Sequence, residues 1–416
     1  MSNPYEERIE LESLDEVLAR LADPAADFRR VAIQGVDLTT VAELLVTRDI
    51  AGCVFLGCVL PDLLAKAAAS QDCLVMPCPR GLIFQPYRGA LYTADELYAG
   101  FDPEIAEASF EHTLDRLICK TCLDLTTRRL YPGVPIEIEL FRRVHDHAIT
   151  DALGELLADL RAEGRRAVAI MGGHDMKRAS RAEDGAPARY LEVARIARAL
   201  TNAGFVVLSG GGPGAMEAAN LGAYLAPFDE GVLIEAIDVL ASEPKLDYEK
   251  PAAWLLPAME VRRRYPLDAA SLARRTSIGI PTWHYGHEPP NPFASHIAKY
   301  FENSVREEGL LAIADGGVIF APGNAGTVQE IFQDACQNYY RSYGPAAPMI
   351  LFGSGYWNPD EMTTRPGDKN KKVLPLLQKL AQEKGFEAEL LVTDEVGAVV
   401  DFVVRRWARA QPLSPP

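Results

Sequence analysis

Twice in this chain a short apolar run ends in a glycine-rich turn that opens a helical pattern, and this limits the possible fold more than any other feature. In one case Phe205-Val206-Val207-Leu208-Ser209 leads into Gly210-Gly211-Gly212-Pro213-Gly214-Ala215-Met216-Glu217. In the other, Gly317-Val318-Ile319-Phe320 leads into Ala321-Pro322-Gly323-Asn324-Ala325-Gly326-Thr327-Val328-Gln329-Glu330 and then Ile331-Phe332-Gln333. Buried strands followed directly by helices belong to parallel sheets covered on both faces. Both turns then open at the carboxyl ends of strands, around one crevice. Helix N-termini present unpaired N–H groups and the positive end of the helix dipole, so such turns are anion sites. Thr327 adds a hydroxyl donor. Thr327-x-x-Glu330 also reads as a capping box, a purely structural alternative.

The rest of the chain fits an α/β protein with a Rossmann-like doubly wound parallel sheet and a smaller N-terminal α/β domain. Residues 1–135 carry short strand-like runs, Val31-Ala32-Ile33, Cys53-Val54-Phe55-Leu56, Cys73-Leu74-Val75-Met76 and Leu82-Ile83-Phe84. A connecting helix is expected over 136–164 and the nucleotide-binding domain over 165–416, with a mainly helical insertion at 227–275. Within that domain Ala167-Val168-Ala169-Ile170-Met171 reads as a strand before the tight turn Gly172-Gly173-His174, and 294–312 reads as a helix carrying Arg306.

With 416 residues, 48% hydrophobic and 24% charged, the chain is an ordinary globular protein of two or three domains. A net charge of −16 argues against a broad nucleic-acid or membrane surface, while leaving room for a local phosphate site. There is no apolar run long enough to span a membrane, and the first residues lack the pattern of a signal peptide. Seven thinly spread cysteines read as reduced thiols, hence an expected cytoplasmic location. Cys119-Lys120-Thr121-Cys122 lies in a helical stretch with no second CxxC, and His284-x-x-His287 lies in a Gly/Pro loop. Neither is expected to hold a metal.

The two turns together resemble the motifs of the LONELY GUY family, once labelled lysine decarboxylases. Residues 210–217 are similar to its GGG-x-x-x-M segment and residues 322–330 to its PGG-x-GT-x-x-E. Arg306, nine residues before Asp315, stands at the place of its arginine. The resemblance covers roughly 165–410. Gly172-Gly173-His174, Glu217 and Glu288-Pro289-Pro290-Asn291-Pro292 look more like a longer bacterial branch, the pyrimidine/purine nucleotide 5′-monophosphate nucleosidases, which carry an extra N-terminal domain. This chain departs from the pattern at Asn324, where the family has its second glycine.

The resemblance implies hydrolysis of nucleoside 5′-monophosphates to free base and ribose 5-phosphate. It implies Glu330, Arg306 and Glu217 as catalytic residues, with Glu217 holding the ribose hydroxyls or sharing the base role. Gly323, Asn324, Ala325, Gly326 and Thr327 would cradle the phosphate. Gly211, Gly212, Gly214, Met216, Gly173 and His174 would lie along the nucleotide. Water would be the nucleophile, with no metal or organic cofactor, and the sites would be completed in a homo-oligomer. A nucleotide-sensing protein without turnover is the alternative. A dinucleotide dehydrogenase fits less well, because 210–214 does not give G-x-G-x-x-G with an acidic residue about twenty positions on. Decarboxylation would need a pyridoxal lysine, and none lies close in sequence to either of the two turns.

Overall fold

The computed structural model describes residues 8–124, 129–130, 134–284, 288–358, 365 and 370–410. They fall into two compact units, Met1–Leu91 with Pro132–Glu155, and Tyr92–Tyr131 with Leu156–Pro416. The helix Ile136–Ala162 supplies residues to both.

The first unit is built on four parallel strands in the order β1 (Glu10–Leu11), β2 (Ala32–Gln34), β3 (Val54–Leu56), β4 (Leu74–Met76). Helices Leu14–Ala22, Ala42–Leu45 and Asp62–Ser70 connect them. Val17, Ile33, Leu45, Phe55 and Leu64 fill the core. The cysteines of this unit act as small apolar groups. Cys53, Cys58 and Cys73 each donate Sγ–H to a backbone carbonyl, those of Phe28, Ile33 and Ile50. Burial pushes the Cys53 thiol up to about 12. The run Leu82-Ile83-Phe84 forms no strand.

The second unit opens with the helices Ala94–Leu97, Ala106–Phe110 and Leu114–Cys122, followed by a two-stranded antiparallel pair, β5 (Leu123–Asp124) and β6 (Arg129–Leu130). Its main sheet has seven strands: β7 (Ala167–Met171), β8 (Val206–Ser209), β9 (Ser277–Gly279), β10 (His296–Ile297), β11 (Gly317–Phe320), β12 (Met349–Phe352) and β13 (Leu390–Thr393). The order is β10-β9-β8-β7-β11-β12-β13 and every pairing is parallel. The chain winds one way from β7 to β10, then crosses to β11 on the other side of β7 and winds outward again. This doubly wound order puts its switch point between the carboxyl ends of β7 and β11, where such sheets open a crevice. β7, β8, β11 and β12 are buried along their whole length, which explains their unbroken apolar runs. On one face Gly222 lets the helix Ala215–Tyr224 lie directly against Ala194, where a side chain would collide with backbone.

Two expectations need correction. Tyr92–Tyr131 belongs with the seven-stranded unit, although it reads as part of the N-terminal domain. Backbone bonds between Tyr92 and Ile297 (3.0 and 2.7 Å), an Arg262–Asp95 ion pair (2.7 Å) and a buried Lys299–Asp115 pair (2.6 Å) hold it there. The helix expected over 294–312 starts at Asn303 instead, and ends at Ile313. Residues before it pair as β10 with β9, and the Ser295 and Ala298 N–H groups bond to the carbonyls of Ser277 and Gly279. Sheet pairing overrides local helical propensity here. Helices Glu230–Leu240, Pro251–Arg264 and Ala269–Arg274 lie between Tyr224 and β9. No helix among the described residues is long and apolar enough to cross a membrane.

Candidate functional site

Three glycine turns meet at the switch point. The Gly173 N–H donates to Pro322 O (3.0 Å), joining the turn after β7 to the turn after β11. The Ala215 N–H donates to Gly173 O (3.1 Å), joining the turn after β8 to the same place. The packing leaves no room for side chains. A Cβ on Gly173 would lie 3.3 Å from Gly323 Cα, and one on Gly214 would strike the backbone of Gly173 and His174. Gly214 also has φ +71°, a conformation that favours glycine.

The helix Ala325–Tyr340 starts in this crevice. Its N-cap is Asn324, whose side chain makes no capping bond. Thr327 is therefore the third residue of the helix and Glu330 the sixth, which rules out the capping-box reading of this pair. The N–H groups of Ala325, Gly326 and Thr327 precede the first intrahelical bond and face outward from the helix end, an anion site by position. Tyr356 OH donates to Gly323 O (2.6 Å) and fixes the turn from behind. Asn324 instead donates Nδ2–H to the exposed Asp175, at 3.4 Å.

Glu330 is 8% exposed and lies one turn beyond Thr327. Burial raises its carboxyl from 4.5 to about 8; Arg306 opposes this and Glu307 adds to it. Arg306, on the helix Asn303–Ile313, is oriented by Asn303 Oδ1, which accepts from Nε (3.2 Å) and Nη2 (2.8 Å). Its Nη1 is 3.4 Å from where a Cβ on Gly210 would be, and Met216 Sδ packs on the same spot. The structure therefore brings Glu330, Arg306, Gly210, Gly212 and Met216 together. His174 is exposed at the rim, next to Asp175.

Glu217 is placed differently from the ribose-facing position expected of it. It is completely buried, and both its oxygens are occupied. Arg178 donates Nε–H to Oε2 (2.7 Å) and Nη2–H to Oε1 (2.5 Å), and Tyr190 OH donates to Oε2 (2.8 Å). Helix geometry is the reason: Glu217 follows Met216 by one position, so the two side chains point about 100° apart, and Met216 covers the turn.

Glu288 was not assigned a role from sequence, yet it overhangs the turn. Its Oε2 is 3.5 Å from a Cβ placed on Gly212. Asn291 fixes this loop, donating its backbone N–H to Gly211 O (2.8 Å) and Nδ2–H to Gly212 O (3.1 Å). Tyr98 OH holds the next carbonyl, Pro290 O, at 2.5 Å. The only advance signal was that 288–292 stood among the family-like stretches. His287, part of the His284-x-x-His287 spacing, lies outside the described residues. Cys119 is buried in the helix Leu114–Cys122.

No family model matches the chain, and no curated protein matches it. Among solved structures it is similar to a molybdenum cofactor binding protein from Rippkaea orientalis, 13% identical over 58% of this chain and 97% of that one, with a TM-score of 0.32. It is similar to a molybdenum cofactor carrier protein from Chlamydomonas reinhardtii, 13% identical over 59% and 99%, TM-score 0.33. It is also similar to TM1055, a structural-genomics target, 17% identical over 58% and 99%, TM-score 0.31. Likenesses this distant carry nothing about the reaction, and the site stands on its own residues.

Proposed function

We propose that the chain hydrolyses the N-glycosidic bond of nucleoside 5′-monophosphates, releasing free base and ribose 5-phosphate. The observation that carries this reading is one helix, Ala325–Tyr340, that offers an uncapped N-terminus and, one turn on, a buried carboxyl with its proton affinity raised beside Arg306. A phosphate on the N–H groups of residues 325–327 and the Thr327 hydroxyl would leave the sugar alongside Glu330. The rise from Thr327 to Glu330 is ~4.5 Å, the scale of a ribose ring.

Breaking the bond from C1′ to the base nitrogen sends its electron pair to the base and leaves positive charge on the ribose, as in other glycoside cleavages. Glu330, protonated near neutrality because it is buried, gives its proton to the departing base. Its carboxylate then balances the ribosyl cation. Water adds to C1′ and returns a proton to Glu330, which closes the cycle. Arg306 limits the cost of forming that carboxylate in a buried place. Glu288, rather than Glu217, is the carboxylate positioned at Gly212 to accept from ribose hydroxyls. Glu217 holds the helix Ala215–Tyr224, and so the 210–214 turn, through Arg178 and Tyr190. The resemblance of both turns to LONELY GUY motifs supports the same reaction, and homo-oligomerisation belongs to this proposal.

A nucleotide-sensing protein without turnover is the second reading. Asn324 at the phosphate turn and its contact with Asp175 favour it. Incubation with a panel of nucleoside monophosphates, with mass detection of base and sugar phosphate, decides between them. Free base from wild type and none from Glu330→Ala is the expected result. Tight binding with no base over long incubation selects the second reading, and equal release by Glu330→Ala rejects the assigned role.

A further inference from the structure

A cavity of about 520 Å³ opens at the other edge of the seven-stranded sheet, where β11 and β12 begin. It is remote from the glycine turns, which lie at the carboxyl ends of the same strands. One wall is the far part of the helix Ala325–Tyr340, with Asp334 and Gln337 three positions apart on one face. Asp334 is 4% exposed, and its Oδ2 has no hydrogen-bond partner; the Gln337 Nε2 is likewise buried and unpaired. Burial pushes the Asp334 carboxyl up to about 8, so it is an acid at neutral pH, with one donor and one acceptor.

The opposite wall is basic. Arg161 and Arg166 both reach Asp315 Oδ2, at 3.1 and 3.2 Å, and Arg406 also lines the space. Arg406 is paired with Glu389 (2.7 Å), whereas Arg161 and Arg166 share the single carboxylate of Asp315, which leaves one positive charge over beside the opening. Trp407 completes that side, with the Arg166 guanidinium stacked on its ring at 3.7 Å. Buried polar groups without partners are rare in folded proteins, and each calls for an explanation. A neutral carboxyl next to a carboxamide offers alternating donors and acceptors, the complement of the amide-like edge of a planar heterocycle. The positive charge left over on Arg161 and Arg166 suits a phosphate monoester. The volume is within the range of small-molecule pockets.

We propose that this cavity is a second small-molecule site, taking a phosphate monoester of a planar heterocyclic nucleoside, with Asp334 and Gln337 on the heterocycle edge and Arg161 and Arg166 on the phosphate. The site does not depend on the reaction assigned to the glycine turns, although one helix carries residues of both.

Trp407 makes the test direct. Trp254, Trp283 and Trp357 are at most 1% exposed, whereas Trp407 is half-buried at the cavity wall. Adenosine 5′-monophosphate is titrated into the full chain carrying Glu330→Gln, with tryptophan emission as the readout. Adenosine and inorganic phosphate are titrated in parallel. The expected result is a saturable change that disappears in Trp407→Phe. Affinity should weaken at least about tenfold in Asp334→Leu and in Arg161→Ala, persist in the neutral isostere Asp334→Asn, and be lower for adenosine and for phosphate alone. A chain that shows no saturable change up to millimolar nucleotide overturns the proposal. Equal affinity in Asp334→Leu, or equal affinity for adenosine and its monophosphate, also overturns it. The substrate panel is scored separately by base release, so either idea can fail alone.

Discussion

Arg178 and Glu217 meet through two parallel bonds, Nε to Oε2 at 2.7 Å and Nη2 to Oε1 at 2.5 Å, with neither side chain more than 1% exposed. Arg178 Nη1 also donates to the carbonyls of Glu243 and Trp254. One guanidinium thus ties the helix behind the 210–214 turn to the helical segment that follows it.

Loss of one member of this pair should be costly, because the other charge stays buried without compensation. Arg178→Met is expected to lower stability by about 3–5 kcal/mol, and the double variant Arg178→Met/Glu217→Leu by less than the sum of the single changes. Urea denaturation of the four proteins measures this. A single variant as stable as wild type would contradict the burial of the pair.

The raised carboxyl of Glu330 fixes a pH dependence. The folded protein binds this proton more tightly than the unfolded chain does. The stabilisation it brings is complete below the ordinary value of 4.5 and is lost as pH rises through about 8. Stability should therefore fall between these two pH values, on the order of a few kcal/mol for a buried group. Glu330→Gln, neutral throughout, should fall less steeply; Asp334, raised to about 8 by burial, keeps its own share of the slope. Base release by wild type should decline above about pH 8, as the acid form of Glu330 is lost. Superimposable stability profiles for wild type and Glu330→Gln would count against the assignment.

The phosphate turn should distinguish between two of its own glycines. A Cβ on Gly323 would meet the Thr327 side chain and, at 2.9 Å, Gly173 N, whereas one on Gly326 would meet nothing within 4 Å. Gly323→Ala should cost about 1–3 kcal/mol by overpacking and weaken nucleotide binding at least about tenfold. Gly326→Ala keeps its N–H and should gain up to ~1 kcal/mol from helix propensity, with binding unchanged. Thermal melts and nucleotide titrations of the two variants check the contrast.

Asp175 places a carboxylate next to the turn that should receive a dianion. Asp175→Asn removes that repulsion while keeping the shape. It should tighten nucleotide binding by about 2–5-fold at low salt, with a smaller gain at high salt. Unchanged or weaker binding would remove the phosphate from this turn.

Much of this could be read from the residues in order. Unbroken apolar runs such as 167–171 and 317–320 belong to strands buried on both faces, and glycines after them give turns that only a small residue can make. The pairing of Arg306 with Glu330 came from the resemblance of the two turns to known motifs, and spacing alone does not give it. Other features could not be read this way. Nothing in 92–131 says which sheet it packs against, since Asp115 finds Lys299 at a separation of 184 positions. The helix expected from 294 gave way to a strand because β9 offered it a partner.

Local sequence settled the parallel α/β architecture, the positions of the turns and the helix that bears Glu330. These follow from side-chain periodicity and from the backbone freedom of glycine, both short-range properties. Tertiary structure alone decided which acidic group lies open above the turn. Glu217 is closed off by an arginine 39 positions away, while Glu288 is brought over Gly212 by a loop anchored on Asn291. The direction and partner of a charged side chain depend on what the completed fold packs around it, and no local pattern encodes that.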